Sequence, residues 1–214
     1  MSKRGLVVIL VFVMLLTMAS FPDGAGAAQY SKIAKYIEKS GSGVTTNYSG
    51  ELNYGRLRAQ TIVEHPWYNI MPAHGKVTIG ACKIVTPKFS GNALVRTIVI
   101  LNGELKVESK GLLKIPGGNP NASVSIIVQT NSKIVTKTAG FVSNAVILNK
   151  SMTFNNKIYL LEMTYPVTYG VPVEICGGYM TNAAIVLGGG KAVADFYSSR
   201  FASSYVEKLE LIKK

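Results

Sequence analysis

The chain has 214 residues, with 23 Lys and Arg against 11 Asp and Glu, a formal net charge of +12, two cysteines and two histidines. Aspartate occurs only as Asp23 and Asp195, which excludes Asp-rich calcium loops and enzymes that need several aspartates. The excess of positive charge suits partners that are polyanions: anionic polymers, acidic cell-wall components or glycans, or the surface of an anionic membrane.

Lys3 and Arg4 precede an apolar run from Leu6 to Met18, and Ala25-Gly26-Ala27 follows. A basic start, a short apolar stretch and a small-x-small ending predict a cleavable signal peptide over residues 1–27. The run falls short of the roughly 20 residues that a membrane-crossing helix needs. Losing Lys3, Arg4 and Asp23 leaves a net charge of +11, and the protein is expected outside the cytoplasm, secreted or at the cell surface.

Residues 28–50 read as a short helix and a flexible lead-in. Ile33, Tyr36 and Ile37 share one face of a helix over Gln29–Lys39, and Gly41-Ser42-Gly43 ends it. From residue 51 to 214 the texture is that of one β-rich domain. Moderate apolar runs rich in Val, Ile, Thr and Tyr alternate with turn residues.

Leu52–Val63 and Val77–Val85 are strand candidates. Between them lies Glu64-His65-Pro66-Trp67-Tyr68-Asn69-Ile70-Met71-Pro72-Ala73-His74, with both histidines and the sole tryptophan. The spacing of Glu64, His65 and His74 matches no zinc signature, so no metal is expected. The aromatic pair and the histidines make His65, Trp67, Tyr68 and His74 the candidate ligand-binding residues, because aromatic faces stack on sugar rings.

Leu94–Leu101 and Glu104–Glu108 flank Asn102-Gly103, the pair that supplies the two positive φ angles of a type I′ hairpin turn. Ser123–Thr130 and Lys133–Thr138 flank Asn131-Ser132, and Ala145–Phe154 and Lys157–Tyr165 flank Asn155-Asn156, which predicts two more hairpins. Val171–Cys176, Ala183–Leu187 and Val206–Ile212 are further strands, and Lys191–Ser203 reads as a helix or another strand. Strands at this spacing, joined by tight turns, predict an all-β antiparallel sandwich, jelly-roll or Ig-like.

Cys82 and Cys176 lie in apolar, strand-like segments, and a lone pair in an oxidising compartment predicts one disulfide. No catalytic constellation emerges. There is no G-x-S-x-G elbow, and nothing singles out two acids among Glu51, Glu64, Glu104, Glu108, Glu162 and Glu174. Gly188-Gly189-Gly190-Lys191 lacks the flanking residues of a phosphate loop, so no cofactor is expected. The composition therefore points to a non-enzymatic binding protein with an anionic or glycan-like partner, its tyrosines Tyr165, Tyr169 and Tyr179 joining Trp67 in loops. A structural subunit of a surface assembly and a secreted hydrolase are the other readings.

Overall fold

The computed structural model describes residues 30–66, 71–109, 120–143, 149–186 and 188–214. Among these the chain forms strands β1 (Lys32–Ser40), β2 (Val44–Glu51), β3 (Arg56–His65), β4 (Ala73–Val85), β5 (Gly91–Ser109) and β6 (Pro120–Thr130). It continues with β7 (Ile134–Ser143), β8 (Lys150–Val167), β9 (Val173–Ile185), β10 (Gly190–Phe196) and β11 (Ser204–Lys213). One turn of 3-10 helix, Leu52–Tyr54, lies between β2 and β3.

All pairings are antiparallel, and they build two sheets. Sheet A runs β1-β4-β9-β6-β7. In sheet B, β2 flanks β3, and β10 and β11 lie end to end in one lane between β3 and β5. β8 closes the far edge of sheet B against β5.

The order has a simple origin. β6 pairs with β7, β5 with β8, β4 with β9 and β3 with β10. These eight strands are one long hairpin, folded at the turn between β6 and β7 and then rolled into two layers. Rolling adds the contacts β6–β9 and β5–β10. That is a jelly roll. β1 and β2 extend the two sheets at one side, and β11 prolongs the lane of β10.

Alternation decides the core. Along β4, Ala73, Val77, Ile79 and Ala81 are buried, and their opposites on β9, Ile185, Thr181, Tyr179 and Gly177, are buried too. Sheet B contributes Leu57, Val63, Val99, Leu105 and Phe196. Phe196 packs on Phe154 at 5.3 Å and on Tyr179 at 5.6 Å between ring centres. Two buried polar contacts link the layers. Tyr179 donates to the Leu57 carbonyl at 3.1 Å, and the Thr61 and Thr181 hydroxyls meet at 2.8 Å.

The disulfide joins Cys82 to Cys176 across 94 residues of sequence. The two are register partners on β4 and β9, so the bridge closes neighbouring strands of sheet A.

Several expectations are overturned. Residues 32–40 are a strand, not a helix. Ile33 and Ile37, four apart, share a face in either conformation, and pairing with β4 along its whole length decides for the strand. The lead-in that follows is β2, a second strand in register with β3. Residues 190–196 are a strand as well, so there is no C-terminal helix among the described residues.

Asn102-Gly103 is not a turn, because β5 runs straight through it. Asn155-Asn156 likewise lies inside β8, and the segment expected to form its partner strand from Ala145 falls partly outside the described residues. The two Asn-containing steps oppose each other. Leu101 pairs with Lys157 and Gly103 with Phe154, so they form a bulge shared by adjacent strands. Of the predicted hairpin turns, Asn131-Ser132 holds, with the Thr130 amide donating to the Lys133 carbonyl. Val171–Cys176 and Ala183–Leu187 merge into the single strand β9.

Candidate functional site

His65 ends β3 on its inward face and is 1% exposed. Its Nε2 lies 2.9 Å from the Ser42 carbonyl, and its Nδ1 has no hydrogen-bond partner. His74 lies on β4 in the other sheet and points outward, 3.9 Å from Glu38. The structure does not bring the two imidazoles together. Trp67 and Tyr68 lie outside the described residues. Tyr179 belongs to the core rather than to a loop, Tyr165 is half-buried beside Ser132, and Tyr169 is exposed.

The candidate acids are all neutralised. Glu51 pairs with Arg56, Glu64 with Lys191, Glu104 with Arg200, Glu108 with Lys106, Glu162 with Arg96 and Glu174 with Lys32. Asp195 is 3% exposed and caps a turn. It accepts from the Tyr197 and Ser198 amides and the Ser198 hydroxyl. Burial works against its charge, but these donors outweigh burial and hold its pKa below the usual carboxylate value. Asp195 is thus committed to local structure.

The outward side of sheet A offers an open face. Register places its residues in rows across all five strands. One row reads Tyr36, Thr78, Met180, Ser125, Thr138. The next reads Glu38, Lys76, Asn182, Ser123, Phe141, and a third reads Ser40, His74, Ala184, Asn121, Ser143. Towards the disulfide the same face is closed, with Cys82, Gly80, Gly178 and Ile127 buried. Towards His74 it is open.

Two aromatic rings stand on the open part, one at each edge of the sheet. Tyr36 on β1 is 57% exposed and Phe141 on β7 is 55% exposed. Four strand spacings separate their lanes, roughly 19 Å at ~4.8 Å per strand. Lys76 sits 5.7 Å from the Tyr36 ring centre and 3.5 Å from Glu38, which props the ring at its edge. The floor between the rings is polar. Asn182 donates to the Ser123 hydroxyl at 3.5 Å, while its Oδ1 accepts from no group. Beside His74 the face ends in a depression of about 120 Å³ between Ser40, Pro72 and Val186.

Sequence reasoning passed over both rings. The signal was present for Tyr36: read at period two, Lys32–Ser40 puts Tyr36 opposite Ile33 and Ile37. Phe141 carried no such mark, because its exposure follows from β7 being an edge strand.

No protein-family model and no curated protein matches this chain. Solved structures that overlap it loosely include the carbohydrate-binding module TmCBM61 in complex with β-1,4-galactotriose, at TM-score 0.24 and 8% identity, over 81% of this chain and 88% of that one. The C-terminal family 22 carbohydrate-binding module of Clostridium thermocellum Xyn10B overlaps at TM-score 0.22 and 12% identity, over 86% and 95%. The mannan-recognising module TmCBM27 overlaps at TM-score 0.21 and 10% identity, over 82% and 96%. Overlaps this loose say nothing of what the present chain binds.

Proposed function

We infer that this chain is an exported, non-enzymatic jelly-roll protein that binds a glycan on the outward face of sheet A. The observation that carries the reading is the pair Tyr36 and Phe141, exposed at opposite edges of one polar sheet face. The flat apolar face of a sugar ring stacks on exposed aromatic rings, and two of them on one face offer two stacking points. The hydroxyls and amides of Thr78, Asn182, Ser123 and Thr138 between them offer donors and acceptors to sugar hydroxyls. A roughly 19 Å platform accommodates several rings of an extended chain, so the ligand is a polysaccharide, such as a cell-wall component, and not a monosaccharide.

Export rests on the leader, with the mature chain beginning near Ala28. A formed disulfide agrees with an oxidising compartment. No helix among the described residues is long and apolar enough to cross a membrane.

Affinity electrophoresis of the mature protein through gels containing neutral plant, fungal and bacterial polysaccharides tests the reading. At least one polysaccharide should retard the wild type, and Tyr36→Ala should weaken the retardation while the variant keeps its far-UV circular dichroism. Retardation by none of them, or equal retardation of wild type and Tyr36→Ala, overturns it.

A further inference from the structure

We propose that the narrow side of the sandwich, where the edges of β7 and β8 meet, is a binding stripe for a linear anionic polysaccharide. It uses residues different from those of the face described above and stands or falls separately.

The two edges run antiparallel along the open margin between the sheets. At one end the Lys133 ammonium donates to the Thr164 carbonyl at 3.2 Å, and Ser132 meets Tyr165 at 3.3 Å. In the middle the Tyr159 hydroxyl donates to the Ala139 carbonyl at 3.2 Å. Farther on, Gly140 lies against Phe154 and Met152. Lys133, Lys137, Lys157 and Lys150 follow one another along this seam, and all four are exposed.

Three of these lysines occupy positions whose register partners are core residues: Lys137 opposes Ile126, Lys157 opposes Leu101 and Lys150 opposes Val107. On a strand buried from both sides these positions would be apolar. Here they turn ammonium groups to the margin of the sandwich, which also keeps a foreign strand from adding to either edge.

Among the described residues the surroundings lack compensating charge. β6 and β7 contain no carboxylate. The one acid of β8, Glu162, sits on the outward face of sheet B and is held by Arg96 at 2.6 Å. Glu104 and Glu108 of β5 face the same way and are held by Arg200 and Lys106. Other lysines of the molecule sit directly beside acids, as Lys32 with Glu174 and Lys191 with Glu64. The seam is therefore a strip of one sign.

Its shape selects the partner. From Lys133, beside Thr164, to Lys150 the strip follows β8 for about 40 Å at ~3.3 Å per residue, in single file. A lipid surface would call for a broad basic disc, whereas a uronate- or sulfate-bearing chain presents charges in a line and matches a file of lysines.

The test uses the mature protein with polygalacturonate and dextran sulfate as probes, at low and at physiological salt. Lys137→Glu/Lys157→Glu is compared with Lys35→Glu/Lys39→Glu, which changes net charge equally at exposed positions of β1, the opposite edge strand of sheet A. The seam variant should lose about tenfold or more in affinity for at least one polymer, the control should stay within about twofold, and wild-type binding should weaken as salt rises. The milder Lys137→Ala/Lys157→Ala should lose affinity in the same direction if the charge-reversed protein fails to fold. Tyr36→Ala should leave this binding intact, which separates the seam from the aromatic face. Equal losses in seam and control variants, no loss in the seam variants, or binding to phosphatidylserine vesicles but to neither polysaccharide would each overturn the proposal.

Discussion

Asn102 and Ser204 hold each other by a reciprocal pair of hydrogen bonds: the Asn102 amide donates to the Ser204 hydroxyl at 3.0 Å, and that hydroxyl donates to the Asn102 carbonyl at 3.2 Å. They sit where the lane beside β5 changes hands, with β11 pairing before the bulge and β10 after it. The Asn102 side chain completes the junction. It accepts from the Asn156 amide at 2.7 Å and donates to the Ser203 carbonyl at 3.3 Å. Asn102→Ala should therefore cost about 1–3 kcal/mol, the loss of two part-buried hydrogen bonds. Urea unfolding followed by circular dichroism measures it.

Gly103 should be harder to change. A methyl group there would meet the Phe196 ring and the Asp195 carbonyl, and neither can retreat without opening the core. Gly103→Ala should cost about 3 kcal/mol or leave the protein unfolded. A midpoint close to that of wild type in the same urea experiment would contradict this account of the bulge.

These residues also show what was legible in the sequence. Asn-Gly signals a turn because it tolerates positive φ, yet here that angle falls to Asn156 across the bulge, while Gly103 serves the close approach of Phe196. Local sequence cannot tell a turn from a bulge. The lane change opposite Asn102 separates them, and it depends on residues a hundred positions away. Asn131-Ser132 is a true turn because β6 and β7 form the tip of the rolled hairpin, where nothing intervenes. The all-β class followed from strand texture alone, and the disulfide from two cysteines in apolar runs. The helix expected over Gln29–Lys39 failed because spacings of four fit both conformations, and that error hid Tyr36. His65 and His74 looked like neighbours, yet the chain crosses between sheets within that loop.

The disulfide ties β4 to β9, strands that are remote in sequence and adjacent in the rolled hairpin. Replacing both Cys82 and Cys176 by Ala should lower stability by about 4 kcal/mol if the bridge acts on the unfolded chain. The variant should still show a β-type circular dichroism spectrum in the absence of denaturant. A helical or disordered spectrum would mean that the bridge specifies the fold.

Tyr30 sets an alkaline limit. Its hydroxyl donates to the Val206 carbonyl at 2.8 Å, and burial pushes its pKa up to about 12 from the ordinary 10.0. The unfolded chain releases this proton first, so the contribution is complete below pH 10 and is lost as pH rises towards 12. Stability measured by urea unfolding should fall across that interval in the wild type and fall less in Tyr30→Phe. Parallel curves for the two proteins would contradict the assignment.

The central claim is that two rings at opposite edges of one sheet face grip a single extended glycan. Calorimetric titration of a binding polysaccharide and its oligosaccharides, in wild type, Tyr36→Ala, Phe141→Ala and the double variant, tests it most directly. Affinity should rise with chain length until the ligand spans both rings, either single substitution should flatten that rise, and the double variant should not bind. Affinity that ignores length, or a double variant that binds like wild type, would contradict the claim.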